Sequence, residues 1–206
     1  MKRIIPVIHL VNFDQVITNI ETCIKLGINN VFIINHLTEW DDLMITAGKV
    51  KMLYPNLWVG LNFLDIEPKA ILTYNLPYDA LWIDKTLSLD DITTKEFKGE
   101  IFSGLNFKYQ KQFYGPFLDD AVQLVKQTST TACTSGAGTG ISASTKKIEE
   151  LKALLGDFPL ALASGVSSEN IEMYLPFVDT FLVASSITDK HEFIQEDLLK
   201  ELISKI

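Results

Sequence analysis

Short apolar segments rich in β-branched and aromatic residues alternate along this chain with longer segments in which apolar residues recur at helical spacing. Eight short segments are separated by about the length of one helix and two loops. They predict strands at residues 4–10, 30–35, 57–63, 79–84, 100–107, 129–133, 159–164 and 179–185. Such alternation is typical of a parallel sheet that is covered by helices.

The intervening segments differ in how clearly they predict helices. Helical spacing is present at residues 16–24, 148–155 and 198–206. Ser144 or Thr145 can cap the second of these helices, and Gly156 can end it. The segment 90–97 predicts only a short, weak helix. Together the eight strand–helix units predict an α/β fold, a compact (β/α)₈ TIM barrel in one domain over residues 1–206. A doubly wound open sheet is the alternative.

Composition narrows the classes of function. The chain is 47% hydrophobic and 21% charged, which is the balance of a globular protein with a substantial core. Its net charge of −8, without a basic patch, predicts no nucleic-acid partner. No apolar run is long enough for a membrane span, and the first residues lack the apolar region of a signal peptide, so we expect a cytoplasmic protein.

The two cysteines, Cys23 and Cys133, predict no disulfide framework, and no spacing resembles a zinc site. We therefore predict no metal and no cofactor. Cys133 is a weak candidate for a nucleophile, because no basic neighbour in the sequence activates its thiol. Whether the protein forms a homo-oligomer is left open.

Polar residues end several apolar strands on the face that would point into the barrel. They are His9, Asn62, Asp84, Asn106 and Lys108. Catalytic groups of TIM barrels lie at the C-terminal strand ends, so we expect these side chains to share one mouth, with Asn35 or His36 joining from the second strand.

Each of these polar residues has a proposed role and an ordinary alternative. Asp84 and His9 would exchange protons, and Lys108 would hold an anion or, less favourably, form a Schiff base. Asn62 and Asn106 would bind ligand. The alternatives are a simple hydrogen bond at the strand end for His9, a helix cap for Asp84, a solvated rim charge for Lys108 and hydrogen bonds to backbone for the amides.

Two turns rich in serine and glycine follow the last two strands. The predicted phosphate ligands are Ser164, Gly165, Val166, Ser185 and Ser186. The turns after strands seven and eight are the usual phosphate site of TIM barrels, and the N-terminus of a helix behind each turn would add free donors. The alternative is that these are ordinary connecting turns.

The loop 134–140 after the sixth strand is rich in glycine. It lacks the third glycine of a dinucleotide fingerprint and the lysine of a Walker motif. We predict that Ser135, Gly136 and Gly138 bind ligand, in a lid or a backbone cradle beside the phosphate turns. A plain flexible loop is the alternative.

These motifs resemble those of the BtpA/SgcQ family over nearly the whole chain. The matching segments are His9-Leu10, Val59-Gly60-Leu61-Asn62, Phe107-Lys108-Tyr109, Thr134-Ser135-Gly136 with Thr139-Gly140, and Ala163-Ser164-Gly165-Val166 with Glu169-Asn170. The resemblance implies a TIM barrel related to phosphate-binding barrels such as phosphoribosylanthranilate isomerase, without a settled reaction. In the positions of that isomerase's general base and general acid, this chain has His9 and Cys133.

The sequence therefore predicts an enzyme of small phosphorylated metabolites, a phosphosugar or a phosphoribosyl compound, with isomerase or lyase chemistry at the barrel mouth. The partner is a phosphorylated small molecule. The alternative is a non-catalytic barrel that binds such a ligand and acts in assembly or regulation.

Overall fold

Eight parallel strands close into a barrel in chain order in the computed structural model, which describes residues 2–206. The strands are β1 Arg3–His9, β2 Asn30–Ile34, β3 Trp58–Asn62, β4 Ala80–Ile83, β5 Glu100–Gly104, β6 Thr131–Ser135, β7 Leu160–Ala163 and β8 Thr180–Val183. The α-helices are α1 Phe13–Lys25, α2 Trp40–Leu53, α3 Pro68–Leu72, α4 Pro116–Thr128, α5 Thr145–Leu155 and α6 Glu196–Ile203. The predicted TIM barrel is confirmed, and the open sheet is excluded.

Short 3₁₀ helices replace the α-helix after two strands. Asp90–Ile92 follows β4, as the weak pattern at residues 90–97 indicated, and Ile171–Met173 follows β7. The cap predictions for α5 are confirmed, since Ser144 Oγ accepts a hydrogen bond from Lys147 N and Gly156 ends the helix.

Several predicted strand boundaries were wrong by one to three residues, and two of them have a clear local reason. The predicted strand 100–107 ends at Gly104, because Asn106 has a φ of 49°, which takes the chain out of extended conformation. The predicted strand 129–133 begins only at Thr131, because Ser129 still donates its N–H to Val125 O at the end of α4. Lys108 therefore lies in a loop rather than on a strand.

The core has two layers. Inside the barrel lie large apolar side chains, among them Val7, Phe32, Trp82 and Phe102, and the Phe32 ring meets the other two rings edge-on at 5.2–5.7 Å. A second cluster fills the space between strands and helices. The predicted inward register of β1, β3 and β4 is confirmed. The side chains that fill the barrel interior therefore belong to the same alternating series as the polar residues at the strand ends.

The opposite, N-terminal end of the barrel carries the same clamp twice, four strands apart. Asp79 Oδ2 accepts hydrogen bonds from Val59 N and from Lys51 Nζ. Asp179 Oδ2 accepts them from Leu160 N and Lys152 Nζ, each at 3.0 Å. Each clamp ties an outer helix to the beginning of two strands, and the sequence analysis had not found this repeat.

We expect Asp179→Ala to destabilise the protein by about 1–2 kcal/mol at pH 7, because the substitution leaves the N–H of Leu160 and the ammonium group of Lys152 without their acceptor. Burial raises the pKa of Asp179, but the hydrogen bonds from Leu160 and Lys152 and the nearby Lys2 leave it below the ordinary value. A carboxyl group whose pKa is lower in the folded than in the unfolded protein stabilises the fold at pH values above its unfolded-state pKa. That stabilisation is lost as the pH falls through the pKa of the folded state.

Urea unfolding at several pH values measures this effect. The difference between Asp179→Ala and the unmodified protein should be largest near neutrality and shrink below pH 4. Asp157→Ala, which removes an exposed carboxylate nearby, is the matched control and should change stability little. Equal stabilities of the two variants at pH 7 would show that the clamp does not hold the fold.

Candidate active site

A cavity of about 150 Å³ opens at the C-terminal ends of the strands. Its lining includes the predicted residues His9, Asp84, Lys108, Ser164, Gly165, Val166 and Ser185. The sequence-predicted catalytic trio and most of the predicted phosphate ligands thus meet in one place. The apolar wall comes from the ends of the interior series, such as Val7, Trp82 and Leu182.

Asp84 follows β4 directly and lies against the neighbouring strand. A Cβ at position 104 would overlap the Asp84 carbonyl oxygen, so the close approach requires Gly104. Asn62 Nδ2 donates a hydrogen bond of 3.1 Å to Asp84 Oδ1. Burial raises the pKa of Asp84 above its ordinary value, against the opposing effects of Asn62 and Lys108. Asp84 is therefore an oriented carboxyl group suited to proton exchange, and no α-helix begins beside it for it to cap.

Lys108 connects three loops at the mouth. Its Nζ donates hydrogen bonds to Ser164 Oγ at 2.8 Å and to Thr139 Oγ1 at 3.1 Å. Its backbone N–H donates to the buried Ser135 Oγ at 2.8 Å. Both hydroxyl partners of Nζ can be exchanged for the oxygens of an anion, so the ammonium group is placed to bind one.

His9 lines the same cavity, next to His36 and Glu192. The sequence analysis named His36 as a candidate for the mouth, but not Glu192. Its ring stacks on His36 with centroids 5.2 Å apart. Its Nδ1 lies 3.1 Å from Glu192 Oε2, although the angle is outside hydrogen-bonding geometry. The pKa of His36 is lowered by burial and by the nearby His9 and Lys108. The sequence analysis did not find Glu192, because this residue lies far from His9 in the chain and belongs to no motif.

The remaining predicted ligand residues support the loops. Both polar atoms of the Asn106 side chain bond to the backbone of Phe113, at 2.7 and 3.0 Å, and so close the loop after β5. Ser135 holds Lys108, and Gly136 packs against the Ile141 carbonyl. Asn62, Asn106, Ser135, Gly136, Gly138 and Ser186 lie outside the cavity lining, so their contact with ligand stays a prediction.

The two predicted phosphate turns leave donors free. Within residues 2–206, no protein acceptor receives the backbone N–H groups of Gly165, Val166, Ser185 and Ser186. Ser186 Oγ donates to Val166 O at 2.6 Å and thereby ties the turns together. Unpaired backbone N–H groups in turns with left-handed residues form concave anion sites, and Ser164 and Gly165 have φ values of 67° and 69°.

The helices that were predicted behind these turns are absent at the required places. The turn after β7 leads to a 3₁₀ helix of three residues. After β8, a turn at residues 185–187 precedes a bridge between Thr188 and Ile194, and α6 begins only at Glu196. A phosphate here would therefore be bound by turn N–H groups and Lys108 rather than by a helix dipole.

No family model and no curated protein matches this chain. Solved structures share its fold. Phosphoribosyl anthranilate isomerase from Thermus thermophilus has a TM-score of 0.71 and 14% identity, covering 98% of this chain and 97% of that one. The native KDPGal structure has a TM-score of 0.74 and 13% identity, covering 98% of this chain and 93% of that one. Orotidine 5'-phosphate decarboxylase from Pyrococcus horikoshii OT3 has a TM-score of 0.62 and 13% identity, covering 89% of this chain and 90% of that one.

These likenesses show the barrel fold. The narrower resemblance to the BtpA/SgcQ family stays a prediction. Cys133, which the resemblance places where that isomerase has its general acid, is fully buried inside the barrel, and burial raises the pKa of its thiol well above the ordinary value. It therefore stays protonated, which removes the ground for a thiolate nucleophile.

Two further observations concern metal binding and membrane insertion. No group of three or more His, Cys, Asp or Glu side chains in the described part of the chain is arranged to hold a metal ion. Across residues 2–206, every helix is too short or too polar to traverse a bilayer.

Proposed function

We propose that this protein is an enzyme that acts on a small phosphorylated metabolite, by isomerase or lyase chemistry. The observation that carries the proposal is the shared cavity. It joins free backbone donors and the Lys108 ammonium group to a half-buried carboxyl group, Asp84, and an imidazole, His9. An anion-binding end beside a proton-exchanging end is the arrangement that a phosphorylated substrate requires.

The anion is bound locally in this proposal. The net charge of −8 repels phosphate at long range, so the attraction must come from groups at the turns. Lys108 Nζ would exchange its hydroxyl partners for phosphate oxygens, and the N–H groups of Gly165, Val166, Ser185 and Ser186 would donate to the rest. Binding energy from the phosphate then fixes the distance of the reactive carbon from Asp84.

Proton exchange would take place at the other end of the cavity. Isomerisation beside a carbonyl removes a proton from one atom and returns a proton to its neighbour, so it needs an acceptor and a donor. Asp84, with its raised pKa, and His9 would share these roles. Lys108 would stabilise negative charge that develops on the substrate oxygen. A cavity of about 150 Å³ favours a compact substrate such as a phosphosugar.

We expect the protein to bind D-ribose 5-phosphate at least about tenfold more tightly than D-ribose, because a single charge-assisted hydrogen bond contributes this much. Isothermal titration measures both affinities. Lys108→Met should reduce the preference for the phosphorylated sugar, whereas Lys111→Met, in the same loop and exposed, should not. Equal affinities for the two sugars would contradict the proposal. Tight binding of a panel of phosphosugars without conversion of any would favour the non-catalytic barrel.

A further inference from the structure

The loop at residues 188–194, which follows β8, brings an acidic side chain to the mouth of the barrel. The Glu192 side chain is 29% exposed, and its Oε2 lies 3.1 Å from Nδ1 of His9. In the described part of the chain, His9 is the one basic side chain within ion-pair distance of this carboxylate.

The backbone at Glu192 is held in an unfavourable conformation by buried groups. Its φ of 63° is rare for a residue with a side chain. Its carbonyl oxygen accepts hydrogen bonds from Gln15 Nε2 at 2.7 Å and Asn19 Nδ2 at 2.8 Å. These two side chains of α1 are 2% and 1% exposed. Strain that is maintained by buried, fully used polar groups is characteristic of functional positions.

The same amide also fixes His9. Gln15 Nε2 donates a second hydrogen bond, of 3.2 Å, to the carbonyl oxygen of His9. One buried side chain thus binds the main chain of both partners, and the separation between the carboxylate and the imidazole is set by the fold rather than by mobile side chains alone.

We propose that Glu192 is a positioning residue that keeps the proton of neutral His9 on Nδ1 and leaves Nε2 as the acceptor that faces the cavity. The catalytic meaning of this arrangement rests on the proposed function, in which His9 exchanges a proton with the ligand. Nδ1 is buried without an aligned partner, and a small rotation brings its N–H onto Oε2. Such bonds often tighten only when ligand binds.

The other groups around His9 are consistent with this role. His36 stacks on the ring, and its lowered pKa leaves it neutral at pH 7. Asp84 and Lys108 line the same cavity as His9. Glu192 is the carboxylate next to the buried nitrogen, so it would also stabilise the imidazolium that forms when Nε2 takes a proton.

Nitrogen NMR of the full-length protein with ¹⁵N-labelled histidine tests the proposal, because the shifts of the two ring nitrogens report which one carries the proton. The chain has three histidines, and the resonances of His9 are those missing from His9→Gln. The spectra are recorded without ligand, in mildly alkaline buffer. Glu192→Ala removes the acceptor, Glu192→Gln retains an oxygen acceptor, and Lys190→Ala is a control in the same loop.

We expect the Nδ1–H form to predominate in the unmodified protein, in Glu192→Gln and in Lys190→Ala. In Glu192→Ala the Nε2–H form should predominate, while the affinity for ribose 5-phosphate stays within about twofold, since Glu192 lies outside the phosphate turns. An Nε2–H form in the unmodified protein, or an unchanged tautomer in Glu192→Ala, would overturn the proposal. Equal binding of ribose and ribose 5-phosphate would instead refute the proposed function alone.

Discussion

Asp84→Asn should reduce turnover of a phosphosugar substrate by about 10²–10⁴-fold, which is the usual contribution of a positioned general acid or base. The amide has nearly the shape of the carboxyl group, and its oxygen can still accept the hydrogen bond from Asn62 Nδ2. The variant therefore loses proton exchange while it keeps its packing. Affinity for ribose 5-phosphate should change much less, because the phosphate turns lie elsewhere in the cavity.

The measurement compares turnover and binding in the same preparations. Asp90→Asn is the matched control, since Asp90 is an exposed carboxylate that follows the same strand and pairs with Lys69 outside the cavity. It should retain both properties. Full turnover in Asp84→Asn would remove Asp84 from the mechanism and leave His9 as the better candidate for proton exchange.

Gly165→Val should weaken binding of ribose 5-phosphate by more than about 100-fold, whereas Ser164→Ala or Ser185→Ala should each cost roughly 0.5–1.5 kcal/mol. Position 165 has a φ of 69°, and a Cβ there would overlap the backbone of Ile141 and Ser142. The turn must move to admit the side chain, so the N–H groups of residues 165 and 166 lose their alignment.

Gly140→Val separates this effect from backbone strain. Gly140 has a similar φ of 72°, but a Cβ there meets open space. Its valine variant should bear comparable conformational strain without displacing the phosphate turns. Thermal unfolding of both variants identifies any loss of folded protein. Unchanged affinity in a folded Gly165→Val protein would mean that these turns only connect each strand to the segment that follows it.

The sequence predicted the parts of the site that follow from local periodicity. Alternation along β1 and β4 placed His9 and Asp84 at the end of the inward series, because successive strand side chains point to opposite faces. Lys108 was placed at the mouth by extending the same alternation beyond Gly104, where the strand ends. It reaches the cavity because the loop beyond Asn106 returns there and Ser135 holds its backbone.

The sequence by itself determined the eight strands, the closed barrel as their preferred arrangement and the residues His9 and Asp84 at the strand ends, since burial imposes periods that local sequence records. Only the tertiary structure decided that Glu192 meets His9 and that no α-helix begins directly behind the predicted phosphate turns. The Gln15–Glu192 hydrogen bond spans 177 residues. Such contacts arise from the closure of the barrel and the path of its loops, which no local period encodes.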